Sequence, residues 1–305
     1  MNVSIDRRAA ISGGAAFLSA GILGAAASDQ AFAAGGGTSQ RRQIRLSPEA
    51  LLDSYVRLRA RTDGKMAFGW LDALRYAVLD GEIHPLCRVL AFGIARFEKV
   101  SSVRYEAHLL EVAHYVDLES GKLLDTLVMP RTGKTVKVPR YRTGPKRVAF
   151  GVAIDESETV GSGLPRNQLQ AFAPVGDVRL IRSVSEPCLE HGAYFVRHEE
   201  YGRVVPRDPA AARIFYREWT TWRGPADRAL DPTVSSAPCE YSYAALTSWR
   251  PWMQMGGISG HTSENGRGAK IDSVAQLPEE ILGLTQELHP DVIDNPERVL
   301  DGPPK

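Results

Sequence analysis

Three consecutive strand-like segments each place one ionisable side chain on an apolar, aromatic face. The bulky face of the first segment, which we predict to point inward, carries Trp70 and Asp72. Arg88 lies on the apolar face of the second segment, and Glu111 shares a face of the third with Tyr115. Because burying an unpaired charge costs on the order of several kcal/mol, these groups should meet each other or a ligand.

Two carboxylates and one guanidinium cannot all be neutralised in pairs, so one acid should keep a raised pKa, as a general acid or base requires. We interpret Glu111 as the preferred base and Arg88 as a group that stabilises an oxyanion, with Asp72 as the third catalytic residue. The alternative is a structural ion pair plus an exposed acid, which follows if one face is assigned wrongly.

A stretch rich in tryptophan, methionine and glycine, SWRPWMQMGGISGHTSENGRG, occupies residues 248–268. Trp249, Trp252 and Met255 are too apolar for a free surface loop and should pack over an opening as a wall or lid. A plug that only seals one end of the fold is an equally good interpretation. His261 lies on the polar, glycine-rich continuation, which we expect to be flexible and able to reach a ligand.

The segment HLLEVAH has the composition of a metal motif but not its geometry. On a strand, His108 and His114 point to one side and Glu111 to the other, and six residues separate the two histidines by ~20 Å. We therefore predict no metal site. The absence of G-x-S-x-G, P-loop and G-x-G-x-x-G motifs argues against a hydrolase elbow, a nucleotide kinase and a dinucleotide fold, and no cofactor is predicted.

Short turns separate the segments that should form strands, and they are too short for crossover helices. A helix should begin at Ser47-Pro48-Glu49 and run through Arg59, and a second should span Pro278 to Leu288 and end before Pro290. The strand-like segments are 66–79, 86–99, 103–116, 123–128, 136–141, 148–154, 168–172, 178–184, 193–200, 213–222 and 239–247.

These elements predict an all-β fold, a large antiparallel meander with short N- and C-terminal helices. An open sheet of this size would expose long edges, so we favour a closed, lipocalin-like barrel over a two-sheet sandwich.

The first residues resemble a targeting segment. Arg7-Arg8 precede the weakly apolar run Ala9 to Ala27, and Ala31-Phe32-Ala33 resembles a processing site. We predict a twin-arginine signal peptide at 1–33, cleaved before Ala34, and a periplasmic location; a general signal peptide and a membrane anchor are alternatives. A flexible linker at 34–46 and a single domain at 47–305 should follow.

Charge and cysteine content narrow the class of partner. With 37 basic and 36 acidic residues, the chain offers no electrostatic case for nucleic acid or an anionic membrane. No later segment is apolar enough for a transmembrane anchor. Cys87, Cys188 and Cys239 could form one disulfide in an oxidising compartment, but three buried thiols are the simpler expectation.

Several segments resemble the bacterial and fungal family known as domain of unknown function 1838. They are VRLRARTDGKMAFGW (56–70), LAFGIARFE (90–98), LLEVAHYVDLESGKLLD (109–125), SWRPWMQMGGISG (248–260) and the LP-EE helix downstream. Many members have an aromatic residue where Leu71 stands here and a different turn where Met129-Pro130-Arg131-Thr132-Gly133 stands. The resemblance implies domain boundaries and no reaction, cofactor or catalytic residue.

The sequence therefore predicts an exported protein that binds a small apolar or amphipathic organic molecule in a barrel cavity. Cofactor-free hydratase, lyase or isomerase chemistry is a further hypothesis. The alternatives are a non-catalytic carrier with the same cavity and an envelope protein-interaction module with an exposed Trp/Met patch. The residues predicted to contact the ligand are Trp70, Tyr115, Trp249, Trp252, Met255 and His261.

Overall fold

The computed structural model describes residues 42–151, 176–184, 187–206 and 214–301. The chain divides into Met1–Ser39 and Gln40–Lys305, and the described residues all belong to the second unit. The predicted signal peptide (1–33), most of the predicted linker (34–46) and the predicted strand 168–172 lie outside the described residues.

The described residues form thirteen strands, and the coarse prediction of a β-rich fold is confirmed. They are β1 (Arg42–Gln43), β2 (Met66–Leu79), β3 (Glu82–Ser101), β4 (Arg104–Val116), β5 (Thr126–Val128), β6 (Thr135–Lys137), β7 (Tyr141–Gly151), β8 (Gly176–Val184), β9 (Cys188–Glu190), β10 (Ala193–Pro206), β11 (Ile214–Pro225), β12 (Cys239–Thr247) and β13 (His261–Ile271).

Eleven of these strands form one antiparallel sheet in the order β1-β9-β10-β11-β12-β13-β2-β3-β4-β7, with β8 paired to β10. Strands β5 and β6 form a separate hairpin. Among the described residues, β7 pairs with neither β1 nor β8, so the sheet has two edges and no closed barrel is formed. The antiparallel architecture is thus confirmed, whereas the lipocalin-like closure is not.

The sheet is strongly curved. The guanidinium carbon of Arg59 lies 5.6 Å from the ring centroid of Phe97 on β3 and 6.0 Å from that of Trp222 on β11. The two rings are therefore within about 12 Å of each other. In a flat sheet the four strand spacings from β3 to β11 would span ~19 Å. We call the side that faces Arg59 the concave face and the opposite side the outer face.

Helix α1 (Pro48–Arg59) fills one end of the concave face, as its sequence predicts. Ser47 is the N-cap and accepts a hydrogen bond from Ala50 N at 3.2 Å, and Pro48 occupies the first turn. Tyr55 and Leu58 are fully buried against both halves of the sheet. Each such side chain contributes about 1.5–3 kcal/mol of burial free energy. The helix thereby holds the curvature of the sheet.

The segment 248–260, which we call the Trp–Met cover, lies over the concave face away from α1. It contains a short 3₁₀ turn, and Met253 and Met255 are completely buried. They pack with Val136 of β6 and with Met129, which directly follows β5. The cover is thus a packed part of the structure and not a free loop.

Three short helices cover part of the outer face and follow one another along the chain: α3 (Glu279–Leu288), α4 (Pro290–Asp294) and α5 (Pro296–Asp301). Helix α2 (Ala226–Leu230) lies elsewhere, beside α1. We call α3 to α5 the C-terminal layer. The predicted C-terminal helix is confirmed as α3, but the chain continues into two further turns of helix beyond Pro290. Each of these begins with a proline, which is favourable in the first helical turn.

The inward direction predicted for the bulky face of β2 is wrong. Phe68 and Trp70 pack with the C-terminal layer on the outer face, and the small residues Ala67 and Ala73 point to the concave face. The reason is crowding inside the curve, because a Cβ added at Gly268 on neighbouring β13 would overlap the ring of Tyr241. Large rings from other strands fill this part of the concave face, so β2 turns small residues such as Ala67 and Ala73 toward it, and its own large residues are buried by helices outside.

The glycine-rich segment 261–271, which we expected to be flexible, is the central strand β13. It pairs with β12 on one side and with β2 on the other, from His261 opposite Val78 to Ile271 opposite Phe68. Its small, polar residues do not follow strand propensity, and their place between two strands decides their conformation. Within the predicted linker (34–46), Arg42–Gln43 form strand β1, which pairs with β9.

Candidate functional site

Asp72 and Arg88 form an ion pair on the outer face. Arg88 Nε and Nη2 donate to the two carboxylate oxygens of Asp72 at 2.7 and 3.0 Å, and Arg88 Nη1 donates to Glu280 of α3 at 2.8 Å. The side chains are about one third exposed: 28% for Asp72 and 33% for Arg88. This network fastens α3 to the sheet. The prediction that Asp72, Arg88 and Glu111 share one interior is therefore wrong.

Glu111 lies on the concave face of β4, on the side opposite to His108 and His114, as strand alternation requires. Solvent reaches the Glu111 side chain. Protein atoms nevertheless surround it on the concave face, and the resulting desolvation raises the pKa of its carboxyl. The charge of Glu264 raises it further, while Lys146 acts in the opposite direction. The arrangement matches the alternative interpretation, a structural ion pair plus an exposed acid.

Glu218 on β11 is a second concave-face acid, and sequence reasoning missed it. Burial, together with the charges of Glu200, Glu111 and Glu264, raises the pKa of Glu218 to about 8. The hydroxyl of Tyr243 lies 3.3 Å from Glu218 Oε1 and donates to it. Since Glu111 and Glu218 influence each other from strands five spacings apart, the curvature brings them to one site.

Tyrosines surround these acids. Tyr216 donates to Glu200 Oε1 at 2.6 Å, and Tyr241 donates to the backbone oxygen of Trp70 at 2.7 Å. Burial raises the pKa of Tyr141 and Tyr241 above the ordinary value, and the negative charge of Glu111 adds to this. These phenols therefore stay protonated and serve as hydrogen-bond donors. Tyr141 is 36% exposed, so a ligand can reach it.

A buried ion pair supports the floor of the site. Arg75 Nε and Nη2 lie 2.8 and 2.6 Å from Glu264 Oε1, and both side chains are only 6% exposed. The guanidinium carbon of Arg75 lies 4.8 Å from the centroid of the Tyr115 ring. Tyr115 in turn contacts Trp252 of the Trp–Met cover at 5.7 Å between centroids. Tyr115 is thus buried beneath the cover.

The remaining residues predicted to bind a ligand are scattered. Trp252 lies over Tyr115, and Met255 is fully buried. Trp249 donates its indole N–H to Ile258 O at 3.0 Å and is only partly exposed, as is Trp252. This packing does not favour an exposed docking patch. His261 begins β13 with its ring 6.5 Å from that of Phe215 on the outer side, and Trp70 is also outside.

Within the part of the chain that the structure describes, one group of side chains has ligand atoms close enough for a metal ion. It comprises Glu98, Glu106 and His108, with ligand atoms within 4.8 Å of one another. Two arginines already contact its acids, Arg96 Nε at 3.2 Å from Glu98 and Arg147 Nη1 at 3.6 Å from Glu106. The cluster is therefore explained as an ion network at the outer edge of β3 and β4.

All three cysteines are buried free thiols. Burial raises the pKa of Cys87 to about 11 and that of Cys239 to about 12, so neither forms a thiolate readily.

A separate cleft of about 560 Å³ lies near α2, lined by Arg61, Ser235 and Lys270 among others. Lys270 Nζ there donates to Ala60 O at 3.0 Å and also to Arg57 O, which satisfies the C-terminal carbonyls of α1.

Alternation groups the missed residues on shared strand faces, but it does not show which faces point into the site. Within IFYREWTTWRGP, Glu218 alternates with Tyr216 and Trp222, and within CEYSYAALT, Tyr241 alternates with Tyr243. Both segments are predicted strands, but the direction of their faces follows only from α1, which packs on Trp222. The sequence therefore contains the grouping of these residues, but not the direction in which the group points.

Glu218, Glu264 and the two tryptophans of the Trp–Met cover all belong to the C-terminal part of the chain, from β11 onward. Residues 197–304 match the family described as Protein of unknown function (DUF1838). The resemblance inferred from the sequence is thus confirmed over this region. No curated protein matches the chain. Among the described residues, no helix has the length and apolar character needed to cross a membrane.

Proposed function

We propose that this is an exported, periplasmic protein whose concave face binds a small apolar or amphipathic organic molecule and moves a proton on it. The proposal includes a barrel-like enclosure of the ligand, which the curvature of the sheet and the covers at its two ends support. The observation that carries it is the presence of two acids with raised pKa, Glu111 and Glu218, on a face that solvent reaches.

The two acids suit different halves of a proton transfer. Glu218, with a pKa of about 8, is mostly protonated at neutral pH and can donate to a leaving hydroxyl or a carbonyl oxygen. Glu111 is the candidate base, because it is exposed and Lys146 favours its ionised form. Tyr243 holds the Glu218 carboxyl in place, and Tyr141 can hydrogen-bond the ligand. Hydration, dehydration, isomerisation and lyase reactions need no more than this pair.

The rest of the face suits an amphipathic ligand. The partly exposed ring of Trp252, which covers the buried Tyr115, provides apolar area at one end. The tyrosine hydroxyls provide polar contacts in the middle. Ligand sites of this kind combine apolar lining with a few fixed polar groups.

The first step of the test is native mass spectrometry of the protein purified from its own host, to identify a retained small molecule. Glu111→Gln and Glu218→Gln should each reduce turnover of that molecule at least about 10²-fold, since a positioned acid or base contributes that much. Glu199→Gln is the matched control, because Glu199 is the outer-face neighbour of Glu200 and pairs with Arg217. Turnover by both variants at the wild-type rate would refute the catalytic proposal.

A non-catalytic carrier is the second candidate. It is favoured by the hydrogen bonds from Tyr216 to Glu200 and from Tyr243 to Glu218. These bonds hold the carboxyl groups in position, where they can orient a ligand without any reaction taking place. In a carrier, Glu218→Gln weakens binding of the retained molecule while that molecule is recovered chemically unchanged from the wild type.

Export is tested separately. The mass of the mature protein should correspond to a chain that begins at Ala34, and Arg7→Lys with Arg8→Lys should cause the precursor to accumulate if the twin-arginine route is used. Processing unaffected by this double substitution would indicate the general route.

A further inference from the structure

The C-terminal layer is held to the outer face by one arginine–carboxylate pair from each helix. Arg88 pairs with Glu280 of α3 at 2.8 Å. Arg142 of β7 pairs with Asp291 of α4 at 2.8 Å, and Arg96 of β3 pairs with Asp301 of α5. Beneath these pairs lies an apolar contact in which Phe92, Leu110, Val112, Ile281 and Val292 are buried.

Two histidines meet in this contact, a fully buried one from the sheet and a half-buried one from the layer. His114 of β4 is 1% exposed, and its Nε2 lies 2.9 Å from the hydroxyl oxygen of Thr285 on α3. The ring of His289, at the junction of α3 and α4, lies 6.0 Å from the ring of His114. His289 Nε2 is buried and has no hydrogen-bond partner among the described residues.

The charged groups around the pair make protonation unfavourable. Burial, with smaller contributions from His289 and Arg140, lowers the pKa of His114 to about 4. Burial and Arg142 lower the pKa of His289, and Asp291 alone acts in the opposite direction. The facing residue on β3 is Leu90, which offers no compensating charge. Each added proton therefore places a cation in an apolar layer next to arginines.

We propose that His114 and His289 form an acid-sensitive latch that releases the C-terminal layer from the outer face of the sheet. Docking requires both rings to be neutral. Release exposes the apolar strip around Phe92 and Leu110 that the layer covers. This inference does not depend on the concave face or on any reaction there.

Acid should weaken the docking of the C-terminal layer, because the docked state disfavours protonated histidines. A histidine whose pKa is lower when docked than the ordinary 6.5 contributes stability that is present above pH 6.5 and is lost as the pH falls toward the docked value. The pKa values of Asp291 and Asp301 are lowered by their arginines, so these carboxylates keep their charge to a lower pH than the histidines require.

Hydrogen exchange of the full mature chain measures the release. From a docked pKa of about 4 and an undocked value of 6.5, the opening equilibrium of residues 279–294 should rise ~30-fold between pH 8 and pH 5, after correction for intrinsic exchange. His114→Gln, whose amide can still bond to Thr285, should reduce this rise to about 3-fold or less. His191→Gln is the control, because His191 is exposed in the β9–β10 turn, and it should keep the full rise.

The result that overturns the latch is a wild-type rise of less than about 3-fold, or a full rise that persists in His114→Gln. If His114→Gln leaves the layer undocked at pH 8, His289→Gln decides: a weakened pH response supports the latch, and an unchanged one refutes it.

Discussion

Glu200 and Glu218 are direct cross-strand partners on β10 and β11, with both side chains on the concave face. Like charges opposite each other destabilise a sheet. Here the hydroxyl of Tyr216 donates to Glu200, and the pKa of Glu218 is raised to about 8, so that Glu218 keeps its proton at neutral pH. Protonation of Glu218 therefore reduces the repulsion between the two carboxyl groups.

Glu218→Gln should therefore stabilise the protein in a pH-dependent way. A carboxyl with a folded pKa above its ordinary 4.5 destabilises the folded state as the pH rises from 4.5 toward 8, because ionisation is easier in the unfolded chain. The variant should gain about 1–3 kcal/mol of unfolding free energy at pH 9 and about none at pH 4, as measured by urea unfolding. Glu199→Gln should show no such gain, and an equal gain at both pH values would contradict the explanation.

Arg75→Met should be among the most destabilising single changes. It leaves the Glu264 carboxylate buried without its partner, which costs about 3–5 kcal/mol. Arg75→Met combined with Glu264→Met should recover most of that loss in a double-mutant cycle. The matched change at the partly exposed outer pair, Arg88→Met, should cost about 1 kcal/mol or less. Equal losses of unfolding free energy for Arg75→Met and Arg88→Met would contradict the burial of the Arg75–Glu264 pair.

Two glycines should respond to alanine in opposite directions. A Cβ at Gly268 would overlap the Trp70 backbone oxygen and the Tyr241 ring, so Gly268→Ala should destabilise the protein by about 2 kcal/mol or more. Gly283 lies within α3 with nothing close to an added Cβ, and Gly283→Ala should stabilise it by about 0.5–1 kcal/mol. Thermal unfolding of the two variants checks both signs, and a tolerated Gly268→Ala would contradict the packing of β13.

The cysteines should be unreactive while the protein is folded. Since all three thiols are buried and the pKa values of Cys87 and Cys239 are raised, an aromatic disulfide reagent should label none of them in native buffer and all three in denaturant. Labelling of only one thiol in denaturant without reductant would instead reveal a disulfide.

The period of two in the sequence was sufficient to predict most strands and to group the residues of each face, but not to say which face points inward. On β2 both faces are buried, one by α1 and one by the C-terminal layer, so a bulky face does not identify the interior. Asp72 and Arg88 were correctly grouped with apolar neighbours, and they do pair, but under α3.

The candidate site depends on information that local patterns do not contain. Glu111 was recognised from its own strand, whereas its interaction with Glu218 arises from the curvature of the whole sheet. Strand β13 was missed because its glycines and polar residues lack strand propensity, and neighbouring strands on both sides determine its conformation.

The pairing of β13 with β2 joins Ile271 to Phe68, residues that are about two hundred positions apart in the chain. Until the ribosome has released β13, the nascent polypeptide holds two half-sheets, each with a bare hydrogen-bonding edge at β2 or β12. Such long-range closure makes folding slow and leaves incomplete chains prone to aggregation. A product that ends before residue 261 should thus accumulate as inclusion bodies and not as a smaller functional unit.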